Sequence, residues 1–325
     1  MEKLTRKVSE GTISTKIGLV LAGGGGKGAY HVGVWKALKE YGLDLRIMAI
    51  SGTSVGALNA ALFTSTSINE AANVWSAIAP DKILSFNVSG MSRTFHRHGF
   101  DLPLKIVERF AGRGVFSREG LTRIIKDSVN LSDINKDSML LYATAYDEKL
   151  RRPHYFLLNQ LNDEDKLNAL LASSALPFIF DPVKIDGQTY WDGGLIDNTP
   201  VLPLYDLGCP YIIVVHLNRM TVIDHSKYPG AKIIEIFPKS SLGEFVDGTL
   251  DFNSSNANKR MIQGYADAND ILKPIFSMIN TQKEVLNSVS RYARQEKTTF
   301  DVLKSRLNDR QQIKENLKEV LNESE

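Results

Sequence analysis

Cysteine is nearly absent from this chain of 325 residues, in which Cys209 is the only one. A single thiol cannot form an internal disulfide, and this is compatible with a reducing compartment. The histidines and acidic residues show neither the spacing of a metal site nor a calcium-binding loop, so we predict no metal and no other cofactor. Cys209 begins an apolar run and is predicted to be a small buried hydrophobic residue.

Long apolar runs are missing as well. No run reaches the roughly 18 residues that a membrane-spanning helix requires. Residues 1–15 are polar and charged, without the apolar centre of a secretory signal. We therefore expect a soluble, cytoplasmic protein that is at most peripheral to a membrane.

The chain also lacks a strong excess of either charge. It has 39 Lys and Arg against 37 Asp and Glu, a formal net charge of +2, and this argues against nucleic acid as a partner. The hydrophobic content of 43% and the charged content of 23% are ordinary for a globular protein. The length suits one large domain or two modest ones.

The chain divides into two parts with different sequence patterns. Between residues 16 and 240, short apolar runs alternate with segments of helical spacing, which predicts an α/β fold with a largely parallel sheet. From residue 241 to 325 apolar residues recur at every third and fourth position, which predicts amphipathic helices. We therefore predict a flexible lead (1–15), an α/β domain (16–240) and a helical extension (241–325) that packs on the core or mediates contacts.

Ser54 stands inside the pattern Gly52-x-Ser54-x-Gly56, between a predicted strand and a predicted helix. This is the nucleophile-elbow pattern, in which a tight turn presents the serine hydroxyl at the end of a sheet. Glycine is needed at both flanking positions because the turn leaves no room for a Cβ. The alternative is a serine that merely caps the following helix.

A second glycine-rich loop, Gly23 to Gly28, also follows a predicted strand and precedes a predicted helix. It fits a dinucleotide fingerprint literally, but the acidic residue about 20 positions on, Asp44, precedes the second strand instead of ending it. A P-loop is excluded because Lys27 is not followed by Ser or Thr. Consecutive glycines can also direct several backbone N–H groups at one developing negative charge, as in an oxyanion hole.

A carboxylate completes the candidate chemistry. Asp192 is predicted to end a strand and is followed by Gly193 and Gly194, so that it can be placed accurately and approached closely. Acyl transfer by a serine often adds a histidine base, and in the chain order Ser, Asp, His that base would be His216 or His225.

Residues 81–103 mix aromatic and basic side chains without a clear period. This predicts a loop or lid, either one that touches a membrane surface or one whose aromatic residues pack in the core.

These motifs resemble those of the patatin-like phospholipase family. The loop Gly23–Gly28 resembles the family's oxyanion motif, 52–56 its nucleophile elbow, 172–180 its Ala-Ser-x-Ala-x-Pro-x-x-Phe segment and 192–194 its Asp-Gly-Gly motif. The four occur in the family's order within residues 17–205. Lys27 departs from the arginine that is commoner there, but it keeps the positive charge.

The resemblance implies a three-layer α/β/α fold with a mainly parallel central sheet, C-terminal helices beyond it, and a Ser–Asp dyad that needs no histidine. Ser54 would be the nucleophile, and Asp192 would accept its proton and later activate water. The oxyanion would be held by the loop residues Gly24, Gly25, Gly26 and Lys27. The implied substrates are acyl esters of phospholipids or other glycerolipids, met at a membrane surface.

Two other classes of function stay open at this point. A dinucleotide-binding protein would use only the first glycine loop and would leave Ser54 and Asp192 without a role. A non-catalytic lipid-binding protein would keep the fold and the pocket without turnover.

Overall fold

The structure, a computed structural model, describes residues 16–78, 85–86, 116–136 and 138–322. The predicted lead at 1–15 lies outside the described residues, as does the predicted loop or lid at 81–103 except for residues 85 and 86. The chain divides into two compact units, Met1–Ile271 and Leu272–Glu325. The domain boundary placed after residue 240 stays a prediction.

A main sheet flanked by helices and a separate two-stranded sheet, β3 with β4, make up the described part of the first unit. The strands are β1 (Ile17–Leu21), β2 (Ile47–Thr53), β3 (Ser85–Phe86), β4 (Phe116–Ser117), β5 (Leu140–Asp147), β6 (Arg152–Leu157), β7 (Val183–Ile185), β8 (Gln188–Asp192), β9 (Tyr211–Val215) and β10 (Lys232–Ile236). The helices are α1 (Ala29–Glu40), α2 (Val55–Ser65), α3 (Ile68–Ala77), α4 (Glu119–Ser128), α5 (Asp163–Ser173), α6 (Leu202–Asp206) and α7 (Ser254–Asn322), the last of which continues into the second unit.

The main sheet is mostly parallel, as predicted. Its order is β10-β9-β1-β2-β5-β8-β7, with β6 paired to β5, and the pairings from β10 to β5 are parallel. The central strands β1 and β9 are apolar and buried along nearly their whole length, because helices cover both faces of a parallel sheet. The predicted turn at Asp186-Gly187 joins the antiparallel strands β7 and β8, and both of its residues have positive φ.

The topology brings three loops to one edge of the sheet. Strands β1 and β2 are parallel neighbours, so the loops after Leu21 and after Thr53 leave the sheet at the same edge. Strand β5 pairs with β2 through Thr144 and Thr53, and one residue further on it pairs with β8 through Ala145 and Asp192. Asp192 therefore reaches the edge at which β2 delivers Ser54.

Helix α1 meets the first turns of α7 at backbone contact. A Cβ on Gly33 would lie 1.9 Å from the carbonyl oxygen of Met261, and a Cβ on Gly264 would lie 2.2 Å from that of Tyr30. The Tyr30 hydroxyl also donates a hydrogen bond of 3.1 Å to Asp267 on α7. Glycine at both contact points thus sets how closely the two helices approach.

The second unit is the remainder of α7, from Leu272 onwards. Several of the apolar residues that predicted amphipathic helices lie on this one helix and are exposed; they are Val285, Leu286, Val289, Phe300, Leu303 and Leu307. Within the described part of the chain, no helix combines the length and the apolar character needed to cross a membrane.

The substitution Gly33→Ala is expected to lower the free energy of unfolding by about 2 kcal/mol or more, because the added methyl group overpacks a contact between two helix backbones. Urea denaturation measures this change. The matched control is Ser255→Ala at an exposed position of α7, which we expect to change the stability by less than about 0.5 kcal/mol. Equal stability of the two variants would show that the contact tolerates a methyl group.

Candidate active site

Ser54 lies on a strained turn between β2 and α2, with φ 55° and ψ −125°. A non-glycine residue in such a conformation costs about 1–3 kcal/mol and persists only where its surroundings hold it. A Cβ on Gly52 would lie 2.4 Å from the carbonyl carbon of Gly56, and a Cβ on Gly56 would lie 2.0 Å from the carbonyl oxygen of Leu21. The side chain of Ser54 makes no capping hydrogen bond, so the structure does not support a mere helix cap.

Ser173, at the end of α5, holds this turn in place. Its hydroxyl accepts a hydrogen bond of 2.9 Å from the backbone N–H of Ser54 and donates one of 2.6 Å to the carbonyl of Thr144 on β5. Ser173 is fully buried. The sequence offered only the family segment 172–180 as a signal, and that segment gave no indication of this role.

Asp192 ends β8 and is buried beside Ser54. One carboxylate oxygen, Oδ1, accepts a hydrogen bond of 2.7 Å from the backbone N–H of Gly194. Burial raises the pKa of Asp192 to about 6, while hydrogen bonds from the Ser54 side chain and the Gly194 N–H oppose the rise. The carboxylate is thus a stronger base than a solvated aspartate and is hydrogen-bonded to the hydroxyl of Ser54.

The loop Gly23–Gly28 lies against Ser54. A Cβ on Gly23 would lie 3.3 Å from the Cβ of Ser54. Residues Gly25–Gly28 form one 3-10 turn, in which the N–H of Lys27 donates to the carbonyl of Gly24 at 3.2 Å. Among the described residues, none accepts a hydrogen bond from the backbone N–H groups of Gly24, Gly25 or Gly26. These groups are therefore available to an anion.

Asn198 ties the glycine loop to the segment that follows Asp192. Its carbonyl accepts from the N–H of Gly23 at 3.2 Å, and its side-chain amide donates to the carbonyl of Gly23 at 3.2 Å. A Cβ on Gly23 would lie 2.3 Å from the Asn198 Oδ1, so a side chain there would displace the Asn198 amide. Sequence reasoning did not single out Asn198, because no pattern marks an asparagine that bonds a distant backbone.

Lys27 is half-buried and lines the cavity that begins at Ser54. Burial lowers the pKa of its ammonium group, and the Arg260 charge lowers it further, while the carboxylates of Glu244 and Asp247 raise it.

Asp44, the acidic residue of the dinucleotide interpretation, lies in a turn before β2 and pairs with Lys39 at 3.0 Å. It is thus not placed at the strand end where a ribose would require it.

The two histidines of the triad alternative both bind Glu235. His216 Nε2 and His225 Nε2 each lie 2.8 Å from a carboxylate oxygen of Glu235, on β10. Asp192 is hydrogen-bonded instead to Ser54 and Gly194. The structure brings the predicted dyad together and pairs both histidines elsewhere.

A cavity of about 460 Å³ begins at Ser54, Asp192 and the glycine loop. Its other walls are mostly apolar side chains from α2, α3, α4 and α5, including Leu58, Leu62, Trp75, Ile125 and Leu170. Phe180 also lines it, whereas Trp191 donates a hydrogen bond to Glu148 and Phe178 is half-exposed. An apolar chain can lie in this cavity with its polar end at the serine.

The fold and the site together define a class of protein. It is an α/β protein that brings an elbow serine, a buried carboxylate and a glycine loop to one edge of its sheet. The sequence pattern of the patatin-like phospholipases matches residues 19–205, more than half of the chain. The chain therefore belongs to the patatin-like phospholipase family.

Several relatives are similar over about two thirds of the chain. It is 28% identical over 210 residues to lysophospholipase NTE1 of Scheffersomyces stipitis, covering 62% of this chain and 12% of that protein. It is 28% identical over 216 residues to neuropathy target esterase sws of Drosophila melanogaster, covering 65% and 14%. An uncharacterized NTE family protein of Mycobacterium tuberculosis is 26% identical over 208 residues, covering 64% and 51%. The chain thus spans from about one eighth to one half of these relatives.

The fold has a counterpart among solved structures. VipD of Legionella pneumophila superposes with a TM-score of 0.54 at 16% identity, covering 80% of this chain and 67% of that one. Together with the observed topology, this likeness confirms the predicted patatin-like α/β fold.

We expect Ser173→Ala to lower both activity and stability, because it leaves the buried N–H of Ser54 and the carbonyl of Thr144 without their partner. Each unsatisfied buried group costs about 1–3 kcal/mol. Urea denaturation checks the loss of stability, with Ser174→Ala as the matched control because that hydroxyl bonds only carbonyls of its own helix. If both variants were equally stable, Ser173 would not hold the elbow.

The raised pKa of Asp192 makes stability depend on pH. Below the unfolded value of 3.8 the carboxyl is protonated in both states. Between 3.8 and about 6 the unfolded state loses the proton while the folded state keeps it, so stability falls as the pH rises through this range and stays at the lower level above it. Asp192→Asn stays neutral, so we expect it to be more stable than the wild type by about 2–3 kcal/mol at pH 8 and equally stable at about pH 3, where the carboxyl is protonated in both states. Denaturation midpoints across this range measure the difference, and a gap that did not change with pH would contradict burial of a charged carboxylate.

Proposed function

We propose that this chain is a serine lipid acyl hydrolase of the phospholipase A or esterase type. The observation that carries the proposal is the buried Asp192 carboxylate hydrogen-bonded to a serine on a strained elbow, at the polar end of an apolar cavity. The proposed catalytic residues are Ser54 and Asp192, and the proposed oxyanion hole comprises the N–H groups of Gly24, Gly25 and Gly26.

In the first half of the reaction, Asp192 takes the hydroxyl proton of Ser54 as Oγ attacks the carbonyl carbon of the ester. The negative charge on the former carbonyl oxygen is held by the loop N–H groups, an interaction typically worth a factor of about 10²–10³ per donor. The ester C–O bond then breaks, the alcohol leaves with the proton held by Asp192, and the acyl group stays on Ser54.

In the second half, Asp192 takes a proton from water, which attacks the acyl-enzyme. The tetrahedral intermediate collapses to a free fatty acid and Ser54 recovers its proton. A carboxylate can act as this base because burial has raised its pKa toward neutrality. The N-terminus of α2 and the positive charge of Lys27 favour the negative charge that develops on the serine and the substrate.

The cavity and the relatives both support the proposed substrate class. The mostly apolar cavity suits an acyl chain, and the similar proteins named above include a lysophospholipase and an esterase. We therefore propose acyl esters of phospholipids or other glycerolipids, taken up at a membrane surface by a cytoplasmic protein that is peripheral there.

The decisive experiment is free fatty acid release from mixed phospholipid and neutral-lipid vesicles, with the wild type beside Ser54→Ala and Asp192→Asn. We expect release by the wild type and a loss of at least about 10³-fold in either variant, since each removes a member of the dyad. The wild-type rate should fall as the pH drops below about 6, because Asp192 must be ionised to accept the proton. Full release by Ser54→Ala would refute the serine mechanism, and no release by the wild type would favour the non-catalytic lipid-binding alternative.

His216→Ala and His225→Ala serve as matched controls for the dyad. Both histidines bind Glu235, so we expect either variant, when folded, to release fatty acid at the wild-type rate. Loss of release in a well-folded His216→Ala variant would instead favour a Ser-Asp-His triad.

A further inference from the structure

Residues 244–252, which we call the strap, lie outside the part of the chain that matches the family pattern. The strap begins as a π-helical turn at Phe245–Thr249, a geometry that occurs often at functional sites. A Cβ on Gly25 would lie 2.1 Å from the carbonyl oxygen of Thr249, and a Cβ on Gly26 would lie 2.0 Å from that of Asp251. The strap therefore backs the glycine loop at backbone contact, and Phe245, Thr249, Leu250 and Phe252 also line the cavity.

Arg260, on α7, joins the strap to the glycine loop. Its Nη1 donates to the carbonyl of Gly26 at 3.2 Å and to that of Asp251 at 2.8 Å. Its Nη2 donates to the carbonyl of Asp247 at 2.8 Å and to the Asp251 carboxylate at 2.9 Å. Arg260 is 6% exposed, and its hydrogen bond to Gly26 is buried.

The guanidinium group suits this position for a physical reason. The carbonyls of Asp247 and Asp251 lie in and just after a short helical turn, where backbone acceptors lack partners within the helix. A planar fork with several fixed donors can bind them together with the Asp251 carboxylate, which compensates the buried positive charge. A lysine ammonium, as a single point charge, cannot make the same set of contacts.

The contact to Gly26 also fixes one peptide plane of the glycine loop. The carbonyl of the Gly26–Lys27 peptide accepts from Arg260, and its N–H donates to the carbonyl of Gly24. Both polar groups of this peptide are therefore held by hydrogen bonds. In the sequence it directly follows the N–H groups of Gly24, Gly25 and Gly26, which have no partner among the described residues. Rotation of the Gly26–Lys27 peptide would change the direction of those three N–H groups.

We propose that Arg260 is a positioning residue that holds the Gly24–Gly26 N–H groups in the geometry the oxyanion requires, an inference that rests on the proposed hydrolase function. Arg260 acts through the backbone of Gly26 and touches no substrate. Because oxyanion contacts strengthen in the transition state, the loss of Arg260 lowers kcat and leaves KM nearly unchanged. A residue that served stability alone would change the amount of folded enzyme and not the turnover of each folded molecule.

The test compares wild type, Arg260→Met, Arg260→Lys and Lys259→Met on a p-nitrophenyl acyl ester. Active sites are counted from the end point of a fluorophosphonate titration, so that kcat refers to folded enzyme. We expect Arg260→Met to lower kcat by about 10- to 100-fold with KM unchanged, as displaced catalytic groups do. Arg260→Lys should recover part of the loss, and Lys259→Met, an exposed neighbour on the same helix, should match the wild type.

A wild-type kcat per titrated site in Arg260→Met would overturn the inference, as would a rise in KM that accounts for the whole loss. If Arg260→Met gave no titratable sites, the Asp251→Asn/Arg260→Met double variant would remove the carboxylate that the single change leaves unpaired. Should that variant also fail to fold, Arg260→Lys decides: a lowered kcat at constant KM supports positioning, and an unchanged kcat refutes it.

Ser54→Ala, measured in the same assay, separates the two proposals. If Ser54→Ala is inactive while Arg260→Met turns over at the wild-type rate, the hydrolase function stands and the role of Arg260 fails. If Ser54→Ala hydrolyses the ester like the wild type, the hydrolase function itself fails.

Discussion

The unfavourable backbone conformation of Ser54 is the constraint on which the rest of the site depends. A positive φ at a residue with a side chain does not persist by itself, so the surrounding structure has to enforce it. Ser173 supplies the partner for the serine N–H, and the glycines at 52 and 56 leave room for the turn. The strain places the hydroxyl of Ser54 beside Asp192, with which it forms the hydrogen bond described above.

A second unfavourable feature, the burial of Asp192, is used in the same way. An ionised carboxylate is more stable in water, and its removal from water raises its pKa. In the proposed mechanism, the same burial that lowers folding stability makes Asp192 a stronger base. The proton of Ser54 moves to a group that binds it more tightly than a solvated aspartate would. The packing of the sheet and its helices thus offsets both the backbone strain at Ser54 and the desolvation of Asp192.

The sequence predicted those features that have a local cause. The G-x-S-x-G pattern between an apolar run and a helix predicted the elbow, and alternating texture predicted the mostly parallel sheet. It could not predict the ties made by Ser173, Asn198 and Arg260, which join residues 119, 175 and 234 positions apart. A serine, an asparagine or an arginine that bonds a remote backbone carries no periodicity and no turn signal, so only the folded topology shows which carbonyl it meets.

The distance in sequence between Gly26 and Arg260 also bears on how the protein is made. A polypeptide leaves the ribosome from its N-terminus, so Ser54 and Asp192 are synthesised well before Arg260, which lies 234 residues after Gly26. A nascent chain can thus assemble its sheet and bring Ser54 and Asp192 together before Arg260 binds the glycine loop. In the proposed mechanism, the oxyanion geometry is therefore complete only after the start of α7 has been synthesised, later than the dyad itself.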